Sequence, residues 1–253
     1  EDILDAAAYG DLEQLKKLLQ NSEDKNPKHE DGFTPLHCAA QFGHLSIVKF
    51  ILPFISDKNP ITGEKWDRST PLHQAALHGH LHIVEYLEEN NETVINPGTG
   101  HDGLGPTVLH YAAQKGHLDI VSFYTKLIPD PNPGIRRKGE GCGNTPLHYA
   151  AQFGHLSVMK HFCNLLTDKN PKDSAGATPL HCTSFYGHIG HIEAVKYLVQ
   201  HVDDRHPKSG ASYGQSTPLD IAKEKNQFEV VRFFQHLDEI ERMKQRRAAK
   251  NYW

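Results

Sequence analysis

The sequence predicts an all-α repeat solenoid, built from pairs of short helices that stack in line. Two observations predict it. Thr34-Pro35-Leu36-His37 returns as Thr70-Pro71-Leu72-His73, Thr107-Val108-Leu109-His110, Thr145-Pro146-Leu147-His148 and Thr178-Pro179-Leu180-His181, and fades to Thr217-Pro218-Leu219-Asp220. A glycine lies nine residues after each of the first five threonines: Gly43, Gly79, Gly116, Gly154 and Gly187, with Asn226 in that place in the sixth copy. A motif returning at fixed internal spacing marks a repeat architecture, in which each unit touches only its neighbours.

Each unit reads as two helices. The threonine is an N-cap residue for the first helix, and proline suits the first helical position. In the second unit Leu36, Ala39 and Ala40 fall on one face, and small alanines let the next repeat approach closely. Gly43 ends this helix in the left-handed conformation. Leu45, Val48, Ile51 and Leu52 form the apolar stripe of the second helix. Helices this short are marginal alone and persist by stacking. The first unit begins at Ile3, carries Ala6-Ala7-Ala8, turns at Gly10-Asp11 and ends with Leu12, Leu15, Leu18 and Leu19; its wetter outer face reads as an N-terminal cap. The last pair, Thr217 to about Leu237, places polar Lys223, Glu224 and Lys225 where apolar or small residues would sit, as a C-terminal cap does. Residues 238–253 form a charged tail, either helical or disordered.

The chain resembles the ankyrin-repeat family. The Thr-Pro-Leu-His-x-Ala-Ala-x-x-Gly-His-Leu core of that family is met almost residue for residue at 34–45, 70–81 and 145–156. The resemblance implies a single ankyrin-repeat domain over 1–253, with an N-cap, five internal repeats and a C-cap, bounded near 3–26, 27–59, 60–96, 97–132, 133–170, 171–206 and 207–237. It implies a β-hairpin loop after each helix pair. It also implies that His37, His73, His110, His148 and His181 support hydrogen bonds between neighbouring repeats.

The spacing shows where the repeats differ. Thr-to-Thr distances are 36, 37, 38, 33 and 39 residues, against 33 for an ankyrin repeat. A second marker follows each helix pair: Asn26-Pro27, Asn59-Pro60, Asn96-Pro97, Asn132-Pro133, Asn170-Pro171 and His206-Pro207. From threonine to the next marker is 25, 26, 25, 25 and 28 residues; from marker to the following threonine is 8, 11, 11, 13, 8 and 11. The helical body is thus nearly constant and the hairpin tip varies. Insertions confined to one loop map to one face of a solenoid, often the binding face. The lengthened tips offer Trp66 and Arg68, His101 and Leu104, Arg136 and Arg137, and Tyr213. Trp, Tyr and Arg are common interface anchors, although long loops are also tolerated at little cost. The 28-residue interval has its own cause, a tripeptide duplication Gly187-His188-Ile189-Gly190-His191-Ile192, in which either glycine can stop the helix.

The residues just before each glycine line the concave groove in the family: here Phe42, His78, Lys115, Phe153 and Tyr186. Tyr111 and Tyr149 either join this surface or pack between repeats.

Net charge is -4, which argues against a general nucleic-acid or membrane-surface binder. No apolar run reaches the ~20 residues of a spanning helix. The chain starts at Glu1 without an initiator Met, as a processed form or a piece of a longer protein would. Cys38, Cys142, Cys163 and Cys182 make no close pair and no metal-ligand spacing, so they read as reduced thiols. His78, His80 and His82 share no helical face, and no nucleophile–base pair or phosphate loop stands outside the repeat pattern. Arg136-Arg137-Lys138 and the 242–250 run read as solvated segments, or as sites for an acidic peptide or the nuclear-import machinery. The expectation is a monomeric, non-catalytic scaffold without a cofactor, in cytoplasm or nucleus, that binds another protein through the groove and tips; the alternative is a targeting or regulatory segment of a larger enzyme or channel.

Overall fold

The computed structural model describes residues 2–20, 22–90, 95–100, 102–136, 142–186, 191–210 and 214–250. The chain forms two compact units, residues 1–140 and 141–253. The first unit holds four helix pairs: α1 (Ile3–Tyr9) and α2 (Leu12–Leu19), α3 (Pro35–Phe42) and α4 (Leu45–Ile51), α5 (Pro71–His78) and α6 (Leu81–Glu89), α7 (Val108–Lys115) and α8 (Leu118–Leu127). The second holds three: α9 (Pro146–Gln152) and α10 (Leu156–Leu165), α11 (Pro179–Tyr186) and α12 (His191–His201), α13 (Pro218–Glu224) and α14 (Phe228–Lys250).

Within each unit the first helices pack side by side, α1 on α3, α3 on α5 and α5 on α7, then α9 on α11 and α11 on α13. Paired alanines make this possible: Ala39-Ala40, Ala75-Ala76, Ala112-Ala113 and Ala150-Ala151 are fully buried. The second helices align behind them and bury Ile47, Val48 and Ile51, then Ile83, Val84 and Leu87, then Ile120, Val121 and Tyr124. Each large apolar side chain contributes about 1.5–3 kcal/mol by leaving water, which helices of seven to eleven residues require. In α11 the alanine pair is replaced by Thr183 and Ser184, both fully buried. The Thr183 hydroxyl donates to Leu180 O at 2.9 Å. The Ser184 hydroxyl has no hydrogen-bond partner among the described residues.

The threonine and histidine of the recurring motif form one hydrogen-bonded unit. Thr34 is extended, closing a capping box with His37 three residues on. Its N–H reaches His37 Nδ1 at 3.2 Å and its hydroxyl reaches the same nitrogen at 2.9 Å. Nδ1 must therefore carry the lone pair and Nε2 the proton. Nε2–H donates across the repeat boundary to Ser69 O at 3.2 Å. His73 donates likewise to Pro97 O at 3.0 Å, His148 to Ala177 O at 3.2 Å and His181 to Ser216 O at 3.1 Å. The sixth copy has Asp220 in place of histidine. Its carboxylate accepts from the Thr217 N–H and hydroxyl, and these bonds hold its pKa below the ordinary carboxylate value.

A second histidine series works in the opposite direction. His44 Nε2 donates back to Ala8 O at 2.8 Å, His80 to Gln41 O at 2.9 Å, His117 to Leu77 O at 3.2 Å and His191 to Gln152 O at 2.9 Å. Each ring lies over the glycine of the preceding repeat. A Cβ on Gly43, whose φ is +84°, would fall 2.7 Å from the His80 ring. Glycine is required there for the turn and for the ring. His191 fills this place in the repeat with the duplicated tripeptide; the two candidate stop glycines, Gly187 and Gly190, and His188 lie outside the described residues.

The Asn-Pro markers cap the helix on the far side of the hairpin. Asn26 Oδ1 accepts the Leu36 N–H at 2.9 Å, Asn96 that of Leu109 at 2.9 Å and Asn170 that of Leu180 at 3.1 Å. These are early-turn donors that no helical carbonyl can satisfy. The asparagine therefore closes the hairpin base whatever the length of the tip.

The hairpins differ from the family expectation. Among the described residues they contain no strand, only an isolated antiparallel bridge between Gly98 and Thr107. The proline of each marker has no N–H to give to a ladder. What remains is one or two backbone bonds across a base: His29 N–H to Phe33 O, Thr62 to Ser69, Thr99 to Pro106 together with Val108 to Pro97, Asp173 to Ala177 and Ser209 to Ser216. Successive tips are tied by single backbone bonds, Gly63 N–H to Asp31 O and Arg136 N–H to Leu104 O in the first unit, Ser174 to Cys142 and Gly210 to Ala175 in the second.

The final helix, α14, is 23 residues long. Val230 and Phe234 are buried, and Arg205 and His206 hold it through Glu241 at 2.7 Å and Asp238 at 3.2 Å. Beyond Glu241 the residues through Ala249 are exposed, including Arg242, Lys244, Arg246 and Arg247.

Burial lowers the pKa of His37, His73 and His148 to about 4 and lowers that of His181 as well. An unfolded histidine takes its proton near 6.5. The unfolded chain therefore binds more protons as pH falls from about 6.5, and His37, His73 and His148 each withdraw stability until about pH 4, by an amount on the order of 3 kcal/mol, with His181 acting in the same direction. The urea midpoint should be flat above pH 7 and drop steeply between pH 6.5 and 4. His148→Gln, which can donate to Ala177 O without titrating, should make that drop shallower. The buried unpaired hydroxyl of Ser184 costs the native protein about 1–3 kcal/mol, so Ser184→Ala should raise the melting temperature.

Candidate protein-binding surface

The last residue before each glycine is exposed, although the alanines one turn earlier are fully buried. In the first unit these are Tyr9 (74% exposed), Phe42 (51%), His78 and Lys115. In the second they are Phe153, and Phe185 with Tyr186. The first helices hold their inner alanines against the neighbouring repeat, so the last turn turns a side chain to solvent. Phe185 and Tyr186 pack ring to ring at 4.8 Å, and Lys225 lies 4.5 Å from the Phe185 centroid. Gln152 donates to the Tyr186 hydroxyl at 2.9 Å. Partial burial lowers the pKa of His78, and nearby His80, Lys115 and His117 act in the same direction.

Tip residues are placed differently from one another. Trp66 ends a short 3₁₀ helix (Glu64–Trp66), stands edge-on to Phe33 at 5.2 Å and is 44% exposed. Arg68 pairs with Glu64 at 2.6 Å within its own tip. Leu104 is half-buried and its carbonyl accepts the Arg136 N–H; the Arg136 side chain is exposed. These two line a groove of about 610 Å³ with Asp102 and Ile95. His101, Arg137 and Tyr213 lie outside the described residues. Tyr111 is half-buried; its ring meets His73 edge-on at 5.6 Å and its hydroxyl donates to Asp67 at 3.1 Å. Tyr149 is also half-buried.

Two sets of residues went unrecognised in sequence. Tyr9 precedes Gly10 as Phe42 precedes Gly43, but the first unit lacks the Thr-Pro-Leu-His that sets the frame. Phe228, 69% exposed at the start of α14, takes the place of Leu45 and Leu81 in earlier repeats. No group of three or more His, Cys, Asp or Glu residues among those described is arranged to hold a metal ion. Burial raises the thiol pKa of Cys38 and Cys163 to about 11 and that of Cys182 to about 12, so these thiols stay protonated at neutral pH.

This architecture defines a class of protein, the repeat scaffold. A family model for ankyrin repeats (three copies) matches residues 3–97, 92–173, 109–206 and 161–243. The chain belongs to the ankyrin-repeat family. Among curated proteins it is 39% identical over 51 residues to an ankyrin repeat protein of fowlpox virus, covering 20% of this chain and 36% of that protein. It is 40% identical over 50 residues to the human ankyrin repeat domain-containing protein 39 (20% of this chain, 27% of that one). It is 38% identical over 60 residues to the human DNA-binding protein RFXANK (23% of each). The matches thus span between about a quarter and about a third of these relatives' length. Repeats of this family generally mediate protein–protein interaction. No described helix is long and apolar enough to cross a membrane.

Because the helix-end aromatics carry little of the core, Tyr9→Ser and Phe42→Ser should each change stability by no more than about 0.5 kcal/mol. Ala39→Leu, three residues from Phe42 and fully buried, should cost about 1–3 kcal/mol by overpacking. Chemical denaturation of the three variants checks both.

Proposed function

We propose that this chain is a non-catalytic scaffold that holds another protein against the exposed ends of its first helices and against its hairpin tips. One observation carries the reading: an aromatic or cationic side chain stands exposed at the same place in repeat after repeat, two residues beyond a fully buried pair of small residues, alanines or, before Tyr186, Thr183 and Ser184. A stability requirement would not keep Tyr9, Phe42, Phe153 and Tyr186 in water, and exposed apolar surface of this kind marks interaction sites. The tips add Trp66, Leu104 and Arg136, with His101, Arg137 and Tyr213 as further anchors. Enzymatic action finds no support in a chain whose buried histidines are committed to backbone carbonyls and whose buried thiols stay protonated. A cytoplasmic or nuclear setting fits the reduced cysteines, and a monomer fits the reading. The RFXANK name speaks of DNA binding by that protein; the net charge of -4 here favours a protein partner.

Affinity capture from cell extract, followed by mass spectrometry, tests the proposal. The wild-type chain should capture a partner that is lost from Tyr9→Ser/Phe42→Ser but retained by Lys17→Ala on the exposed face of α2. Identical capture by all three chains would remove the helix ends from the interface.

A further inference from the structure

We infer that the row of exposed helix ends in the first unit selects a partner segment with an apolar side chain at one end and a carboxylate at the other, an inference that rests on the protein-binding reading and names the chemistry of what is bound. In that unit α1, α3, α5 and α7 lie side by side in this order. Their last residues are Tyr9, Phe42, His78 and Lys115, all exposed. The row is therefore polarised: two aromatic side chains, then two bases. A helix dipole favours a base in the last turn, yet α3 ends in Phe42 at the same place, so the dipole does not dictate the lysine. Packed helices lie about 8–10 Å apart, so about two such spacings separate Phe42 from Lys115. An extended chain covers that span in about six residues.

The bonds already made at the basic end decide what it takes. His80 and His117 turn inward, their Nε2–H groups going to Gln41 O and Leu77 O. The side chains of His78 and Lys115 make no hydrogen bond or ion pair among the described residues. The charges that act on His78 come from His80, Lys115 and His117, bases throughout, with no carboxylate opposing them. The second unit shows a lysine at this place with its charge met. Lys225 stands before Asn226 as Lys115 stands before Gly116, but it pairs with Glu224 at 3.0 Å and lies 4.5 Å from the Phe185 centroid. Where Lys225 has Glu224 before it, Lys115 has the uncharged Gln114. A partner lying over the row takes the Lys115 ammonium out of water, which costs stability unless that partner brings the opposite charge. An apolar or basic side chain is therefore rejected there and a carboxylate accepted, and His78 offers an N–H beside it in either protonation state. At Tyr9 and Phe42 the preference reverses, because an apolar side chain gains by leaving water. The net charge of -4 disfavours a phosphate polymer over a segment with a few carboxylates.

The test follows the backbone amide signals of Gly43 and Gly116, next to Phe42 and Lys115, in the isotope-labelled full chain by nuclear magnetic resonance. The probe is the terminally blocked peptide Leu-Leu-Gly-Ser-Gly-Ser-Gly-Asp-Asp, with a counterpart ending in Lys-Lys. The acidic peptide should shift both glycines along one saturation curve. The lysine peptide should shift Gly43 and leave Gly116 in place, although the net charge of -4 would attract it. Lys115→Gln should weaken the acidic peptide by about threefold, and Lys115→Glu should make the lysine peptide the tighter of the two. Lys225→Gln should change neither. Gly116 unmoved by the acidic peptide, equal affinity for the two peptides, or equal losses from Lys115→Gln and Lys225→Gln would overturn the inference. An oligothymidylate strand that moves Gly116 at a lower concentration than the acidic peptide would overturn the choice of a protein segment. Movement of Gly43 by both peptides keeps the wider reading, whichever way Gly116 responds.

Discussion

A neutral imidazole holding one proton on Nε2 is the interaction on which the stack depends. In His37, His73, His148 and His181 it accepts at Nδ1 from its own threonine and donates from Nε2 to a carbonyl near the base of the next hairpin. The acceptor role fails if the ring is protonated, because Nδ1 can then no longer take the threonine N–H, although Nε2–H would still donate. The ring therefore has to be buried, and burial is what keeps it neutral. The glycine–histidine series adds a bond in the reverse direction. Within each unit, neighbouring repeats such as those of α3 and α5 are thus gripped by rings working in both directions, with small buried side chains between.

Much of the fold was legible because it is local. A cap, a proline at the first helical turn and a glycine at the helix end sit within ten residues of one another, and their spacing was enough to place the helices. The Asn-Pro markers were equally visible as punctuation, but their work was not. Asn26 reaches Leu36 across an entire hairpin, and no local rule connects an asparagine to an amide ten residues later. The absence of strands among the described hairpin residues fits the marker prolines, which have no N–H to give to a ladder. The bond from His191 to Gln152 O was not decidable in sequence, since the two tripeptide copies are identical there.

The candidate surface was legible in part. Phe42, His78, Lys115, Phe153 and Tyr186 follow from counting back one residue from a glycine. Tyr9 follows from the same count but needs Gly10 to be recognised as belonging to the series. The contacts of Asp67 could not be read this way. Its carboxylate accepts from Thr99 and Tyr111, 32 and 44 residues away. Charge and aromaticity were visible in the sequence; which donors were already committed was not.

The ring-over-glycine contact also bears on how such a chain tolerates genetic error. Each ring reads only the repeat before it, so adding or losing a whole repeat leaves every other pairing intact. A shift within a repeat should instead pull the ring off its glycine and disconnect the array at that joint. The tripeptide Gly-His-Ile escapes this because the inserted copy carries the same lock it displaces. His191 grips Gln152 and lies over Gly154, and the older joint is re-formed by the insertion that would have broken it.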